Sequence, residues 1–144
     1  QLFKIIPRSI ISIKKKKEIP LHGGGKAKRS FIHIKDVCSA TVDIMEQAKP
    51  GETYHLSTKD LHSIKSLVKM ICDKMGVDFN ASIKNVETRL GLDAAYILDS
   101  SKAEKEFGWK PKIRLEEGIG EVINWINDNW DIISNEPLEY IHKE

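Results

Sequence analysis

Short strand-like apolar runs alternate with longer segments whose apolar residues recur every three or four positions, and this alternation predicts an α/β fold. The runs at residues 31–34 and 54–56 are the strand candidates. The clearest helical segment covers residues 64–75, where Ser63 is predicted to cap the start and Gly76 to end the helix. The apolar stripe of this helix is predicted to be core.

Further helices are predicted at residues 2–13, 36–48, 101–108 and 115–130. Asp36 is predicted to be the N-cap of the second of these, while Ser101 and Glu104 form a candidate capping box for the third. The three tryptophans are predicted to belong to the core rather than to a stacking platform. Residues 1–134 are therefore expected to form one domain, and residues 135–144 a polar tail.

Composition is consistent with one globular domain, because 40% of the 144 residues are apolar. The sequence has no run of about 18 apolar residues and no charged-then-apolar leader, so it indicates neither a membrane span nor a signal peptide. We therefore expect a cytoplasmic protein.

The net charge is +2, and the lysine run at residues 14–17 contains no aromatic residues. A solvated helix end explains this run better than nucleic-acid binding does.

The cysteines and histidines do not suggest a metal centre. Cys38 and Cys72 both fall within helical patterns, so the sequence predicts packed thiols rather than a disulfide or metal ligands. The five histidines are spread along the chain without the spacing of zinc ligands.

Arginine is scarce, since only four of the 23 basic residues are arginines. Arg29 follows the glycine turn at residues 23–25, and Arg89 lies in a short loop after Val86. The planar guanidinium suits phosphate oxygens better than an ammonium group does. Each arginine alone is explained as a surface residue beside a turn, but together they predict a clamp for a diphosphate.

Several short motifs follow one another in a defined order. They cover residues 3–8, 19–25, 29–40, 51–57, 89–91, 96–103, 107–111 and 115–119. Their order resembles the C-terminal half of the extended short-chain dehydrogenase/reductase family, the nucleotide-sugar epimerases and 4,6-dehydratases. The resemblance covers nearly the whole chain, and the last three motifs are the most specific.

This resemblance implies an α/β fold, the C-terminal substrate-binding part of a Rossmann-type enzyme without its N-terminal dinucleotide-binding core. It implies that Arg29 and Arg89 bind the diphosphate of a nucleoside-diphosphate sugar. Pro20, Leu21 and His22 are then expected to line the base-binding side. The family assignment requires a strand at residues 31–34 and a helix at residues 64–75.

Some family features differ or are missing. His22 stands where the family has an aromatic residue, and Leu92 and Ala95 stand where many dehydratases have histidine and arginine, so base and sugar identity stay open. The chain has no G-x-G-x-x-G turn and no Tyr-x-x-x-Lys pair. We therefore expect no catalytic, cofactor or metal site in this chain, and no turnover by it alone. NAD or NADP is expected in a full-length parent whose Rossmann domain and catalytic residues precede Gln1.

Three functions remain open from the sequence. The first is the nucleotide-sugar-binding part of an NAD(P)-dependent 4,6-dehydratase or epimerase, with dehydratase preferred. The second is a non-catalytic remnant that binds a nucleotide sugar, and the third is a small protein-interaction domain. Residues of about 30–57 are expected to pack on the missing Rossmann domain. If that domain is absent, the same apolar surface would favour a homodimer.

Overall fold

The computed structural model describes residues 1–88, 91 and 93–139, so Arg89 lies outside the described residues. Within these ranges the helices are α1 (Ile5–Lys14), α2 (Ile34–Gln47), α3 (Ile64–Met75), α4 (Phe79–Ser82), α5 (Ser101–Phe107), α6 (Leu115–Asp128) and α7 (Trp130–Ile133). The strands are β1 (Ile19–His22), β2 (Lys28–Arg29), β3 (His62–Ser63), β4 (Ile83–Val86) and β5 (Ala95–Tyr96).

The strands form two small sheets. Strands β1 and β4 pair in parallel, in a register that runs from Ile19 opposite Ile83 to His22 opposite Val86. The second sheet has the order β3-β2-β5, with β2 antiparallel to β3 and parallel to β5. All five strands are short, so the sheets contribute less to the core than the helices that pack beside them.

The main core lies between α1, α3 and α6. Its fully buried residues are Ile10, Ile11, Leu67, Ile71, Ile119 and Ile126, joined by Ile133 of α7. A second cluster packs β1 against α3 and contains Ile19, Leu21, Val68 and Cys72. A third cluster, built on Ala40, Ala103 and Trp109, joins α2 to α5. Helical spacing in the sequence thus matches the faces that are buried.

Helix α3 confirms its prediction at both ends. The Ser63 hydroxyl accepts a hydrogen bond from the Ser66 backbone N–H at 3.0 Å, and Gly76 adopts a left-handed conformation directly after Met75. Helix α5 also lies where the sequence placed it, whereas α1 begins at Ile5, three residues later than predicted. The predicted capping box of α5 is wrong, because Asp99 Oδ1, rather than Ser101, accepts the hydrogen bond at this helix start.

The strand predictions at residues 31–34 and 54–56 are wrong. In the part of the chain that the structure describes, neither run pairs with a strand, and α2 already begins at Ile34. A strand exists only where another strand supplies hydrogen bonds, and an apolar run does not reveal whether that partner is present. His33, not Asp36, is the N-cap of α2, and its Nδ1 accepts from the Lys35 N–H.

Asp36 instead joins two distant segments. Its side chain is buried, with 5% exposure, and its Oδ2 accepts hydrogen bonds from the backbone N–H groups of Lys112 and Ile113, each at 3.0 Å. The indole N–H of Trp109 donates to the Asp36 carbonyl at 3.0 Å. One residue in the first turn of α2 therefore fixes the chain between α5 and α6.

Tyr54 fixes the extended segment before α3 to helix α5. Its hydroxyl donates to Glu106 at 2.5 Å, and the Lys102 ammonium lies 4.3 Å from its ring centroid while also pairing with Glu52. The hydrogen bond to Glu106 is the main cause that raises the pKa of Tyr54 to about 12. Lys102 thus has a packing role at this contact.

Two side-chain predictions were correct for only some of the residues. Cys72 is fully buried, and burial raises the pKa of its thiol, but Cys38 is exposed on α2 rather than packed. Trp109 is buried and Trp130 packs against the main core, whereas Trp125 is 52% exposed and does not belong to the core. Both exceptions lie on helix faces that no other described element covers.

None of the helices in the described ranges has the length and apolar content needed to cross a membrane.

Candidate functional site

Arg29 ends strand β2 and its guanidinium is held by two backbone carbonyls. Nη1 donates to the Lys28 oxygen at 2.7 Å and Nη2 donates to the Asp93 oxygen at 3.1 Å. A guanidinium has five N–H donors, and contacts with the described residues use two of them. The side chain is only partly exposed. The two bonds restrict the orientation of the fork without using up its capacity to bind an anion.

Strand pairing places one side chain on each side of Arg29. Arg29 lies opposite His62 of β3 and opposite Tyr96 of β5. Residues directly opposite in neighbouring strands project from the same face, so the three side chains form one row. Sequence reasoning missed His62 and Tyr96 as candidate contacts. No local signal indicates them, because the three strands come from separate parts of the chain.

The turn after β1 contacts the residues that precede Arg89. His22 Nδ1 lies 3.1 Å from the Glu87 carbonyl oxygen. A β carbon placed on Gly23 would lie 2.6 Å from the Thr88 hydroxyl oxygen, so the lack of a side chain at Gly23 lets Thr88 approach the turn in this rotamer. The turn that the sequence connected with ligand binding is therefore packed against the start of the Arg89 segment.

The far end of that segment is fixed to strand β2. The Lys28 N–H donates to the Ala94 oxygen at 2.9 Å, and Arg29 contacts the carbonyl of Asp93, four positions after Arg89. His22 thus contacts Glu87, before Arg89 in the chain, and Arg29 contacts Asp93, after it. The predicted distance of about 10 Å between the two guanidinium groups stays a prediction, since Arg89 is outside the described residues.

Pro20 and Leu21 lie on opposite faces of strand β1. Leu21 is 1% exposed and belongs to the cluster with Ile19, whereas Pro20 and His22 are half-buried on the other face. The structure therefore groups Pro20 with His22 and directs the Leu21 side chain into the core. Any contact that Leu21 makes with a ligand is limited to its backbone.

A sizeable cleft lies beside this site and not at it. It has a volume of about 710 Å³ and lies between residues 57–62 and 109–116. Of the site residues discussed above it includes only His62. Glu104 at its rim pairs with Lys110 at 3.0 Å and with Lys59 at 3.3 Å. Both contacts lower the pKa of Glu104, and the contact with Lys110 has the larger effect.

Within the described ranges no three His, Cys, Asp or Glu residues converge as metal ligands would.

A family model for GDP-mannose 4,6 dehydratase matches residues 2–122 of this chain. The chain belongs to this family. The dTDP-glucose 4,6-dehydratase of Streptomyces antibioticus is 31% identical over 137 residues, which cover 93% of this chain and 41% of that enzyme. The trifunctional UDP-glucose 4,6-dehydratase/3,5-epimerase/reductase of Arabidopsis thaliana is 30% identical over 140 residues, which cover 95% of this chain and 21% of that protein.

Solved structures agree with the family assignment. The dTDP-glucose 4,6-dehydratase DesIV of Streptomyces venezuelae, with NAD and TYD bound, matches with a TM-score of 0.88 and 27% identity over 96% of this chain and 42% of that one. The UDP-glucose 4-epimerase of Thermotoga maritima shares the fold, with a TM-score of 0.81 and 23% identity over 88% of this chain and 40% of that one.

This dehydratase-family chain spans about 41% of the length of the Streptomyces antibioticus enzyme. The resemblance read from the motif order is confirmed, as is the mixed α/β fold. The relatives are nucleotide-sugar 4,6-dehydratases and epimerases. Requiring a strand at residues 31–34 for this assignment was wrong, because the family match stands without it.

Proposed function

We propose that this chain is the nucleoside-diphosphate-sugar-binding portion of an NAD- or NADP-dependent nucleotide-sugar 4,6-dehydratase. The observation that carries the proposal is the hydrogen bond from Arg29 to Asp93, because it joins the two arginine-bearing segments. The family model and several relatives are dehydratases, which favours dehydration over epimerisation.

In this proposal the chain binds and orients the substrate. The guanidinium groups of Arg29 and Arg89 neutralise the diphosphate and donate hydrogen bonds to its oxygens. The half-buried face of β1 that carries Pro20 and His22 lies on the base side, and Leu21 supports it from the core. NAD or NADP, when bound to the full-length parent, supplies hydride transfer. Anchoring the diphosphate holds the sugar in a fixed position for residues outside this chain.

Replacing Arg29 or Arg89 by alanine is expected to weaken the binding of a nucleoside diphosphate by about 1.5 to 3 kcal/mol, roughly 10- to 150-fold in dissociation constant. Each change removes charge-assisted hydrogen bonds, and lysine should restore affinity only in part because it lacks the planar fork. Isothermal titration with UDP, TDP and GDP measures the effect.

Arg114→Ala is the matched control, because this exposed arginine at the start of α6 lies outside the proposed clamp. It should leave the dissociation constant unchanged. Unchanged affinity in both Arg29→Ala and Arg89→Ala would rule out the clamp. A lysine variant that binds as tightly as the parent would indicate general electrostatic attraction instead.

We also propose that the region of residues 30–57 packs on a dinucleotide-binding domain, because α2 carries an uncovered apolar stripe. Ile34 is 66% exposed, Val42 51% and Met45 80%, and Cys38 lies between them at the same helical spacing. Large exposed side chains in one stripe are typical of an interface. The 59% of the Streptomyces antibioticus enzyme that this chain does not match is long enough to supply such a domain.

A chimera tests this interface. In it, this chain replaces the matching part of the Streptomyces antibioticus enzyme, and Met45→Lys is expected to destabilise the chimera by about 1 to 3 kcal/mol, because a charge enters an apolar contact. The same change should leave the isolated chain within about 0.5 kcal/mol of the parent. Urea unfolding measures both values.

Ile132→Lys provides the control, since Ile132 is 69% exposed on α7 and does not belong to the stripe on α2. It should be neutral in the chimera and in the isolated chain. Equal effects of Met45→Lys in the two proteins would show that α2 does not face the added domain.

A further inference from the structure

The turn after β1 makes two consecutive contacts with the residues before Arg89. His22 Nδ1 lies 3.1 Å from the Glu87 carbonyl oxygen, and Gly23 lies against the Thr88 hydroxyl. A carbonyl oxygen only accepts hydrogen bonds, so His22 Nδ1 carries the proton and donates it. The Nδ1–H of the imidazole therefore has the Glu87 carbonyl as its partner.

This hydrogen bond continues the pairing of two strands. His22 and Val86 form the last register pair of the β1–β4 ladder. Beyond that pair, the His22 side chain bonds the backbone of the next residue, Glu87. Gly23 allows the next contact, because its lack of a β carbon lets Thr88 approach the turn. The side chain thus holds the Arg89 segment at the point where backbone pairing ends.

We propose that His22 is a positioning residue, whose ring nitrogen fixes the Glu87 carbonyl and so the start of the segment that carries Arg89. Its effect on ligand binding rests on the proposed function, whereas the anchoring contact does not. The competing role is direct stacking of the imidazole on the base of the nucleotide. The two roles depend on different parts of the side chain, the N–H donor or the planar ring.

Two substitutions separate these roles. His22→Asn keeps an N–H donor attached to Cγ, as in the imidazole, but removes the ring. His22→Phe keeps a planar ring and removes the donor. If His22 positions the segment, His22→Phe should weaken nucleotide binding more than His22→Asn does. If His22 stacks on the base, His22→Asn should weaken binding more.

The experiment uses two measurements on the 144-residue chain. The first is the rate of tryptic cleavage after Arg89, followed by mass spectrometry, because the protease must also bind the preceding residues and so must release the Glu87 backbone from His22. His22→Phe should raise this rate about 3- to 10-fold, the effect of one lost hydrogen bond, and His22→Asn should stay within about 2-fold of the parent. Cleavage after Lys59, in another loop, is the internal reference and should not change.

The second measurement is calorimetric binding of UDP, TDP and GDP. His22→Phe should weaken binding about 3- to 10-fold, and the loss should vanish in an Arg89→Ala background, because the anchor acts through Arg89. His22→Leu also lacks the donor, so its dissociation constant should equal that of His22→Phe. It takes the place of His22→Phe in the experiment if phenylalanine prevents folding.

Three results are decisive. The proposal is overturned if trypsin cleaves His22→Phe after Arg89 at the same rate as the parent. It is also overturned if His22→Phe binds the nucleotide tightly while His22→Asn binds it weakly. Faster cleavage of His22→Phe with no nucleotide binding by the parent supports the anchor and contradicts the proposed function. The two failures are therefore distinguishable.

Discussion

Replacing Gly25 by alanine is expected to lower the free energy of unfolding by about 2 to 5 kcal/mol. Gly25 is buried with φ +67°, and a β carbon at this position would lie 2.8 Å from the Lys65 backbone nitrogen. The neighbouring hydrogen bond from the Ile64 N–H to the Ala27 oxygen, at 3.0 Å, resists a shift of α3 away from the turn. Urea unfolding followed by circular dichroism measures the loss.

Gly24→Ala is the matched control, because Gly24 has nearly the same φ, +66°, but no atom within 4 Å of the added β carbon. It should cost only about 1 kcal/mol, the penalty of the left-handed conformation. The difference between the two variants isolates the close approach of the turn to α3. Equal losses in the two variants would show that this approach contributes nothing to stability.

Asp36→Ala is expected to destabilise the fold by about 2 to 4 kcal/mol, because the N–H groups of Lys112 and Ile113 lose their shared acceptor. The loss should appear as a lower midpoint of urea unfolding with an unchanged slope, since the native state stays compact. The same carboxylate holds the segment that follows Trp109, so the change should also expose the indole to solvent. Tryptophan fluorescence reports that exposure.

Asp36→Asn keeps the side-chain shape and one oxygen acceptor, but it removes the charge and replaces the second oxygen by an NH2 donor. It should cost about 1 to 1.5 kcal/mol, clearly less than alanine. A variant Asp36→Ala as stable as the parent would mean that water replaces the carboxylate at no cost. In that case the contact between α2 and the segment before α6 would not stabilise the fold.

Family membership could be read from the sequence, because motif order is a property of the chain itself. The same applies to α3, whose cap, apolar stripe and final glycine lie within residues 63–76 and whose hydrogen bonds are local. The strand predictions at residues 31–34 and 54–56 failed for the opposite reason. Most of their apolar residues pack in the structure, Ile34 being the exception, but their backbone would need a partner strand that an apolar run does not specify.

Asp36 shows the same limit at the level of one side chain. Its position before a helical pattern predicted an N-cap, whereas its partners lie about 75 positions further along the chain, at Lys112 and Ile113. Long-range hydrogen bonding thus changed the role of a residue that was correctly placed at a helix start. Cys38 and Trp125 are exposed for a related reason, since helical spacing does not say whether another element covers that face.

The sequence by itself determined the five longer helices and the mixed α/β class, and it selected Arg29 as a candidate, because caps, periodicity and a scarce residue type are local properties. Only the tertiary structure placed His62 and Tyr96 beside Arg29, and joined His22 to Glu87 and Arg29 to Asp93. Each of these contacts joins segments more than 30 positions apart, and such pairing depends on how the whole chain packs.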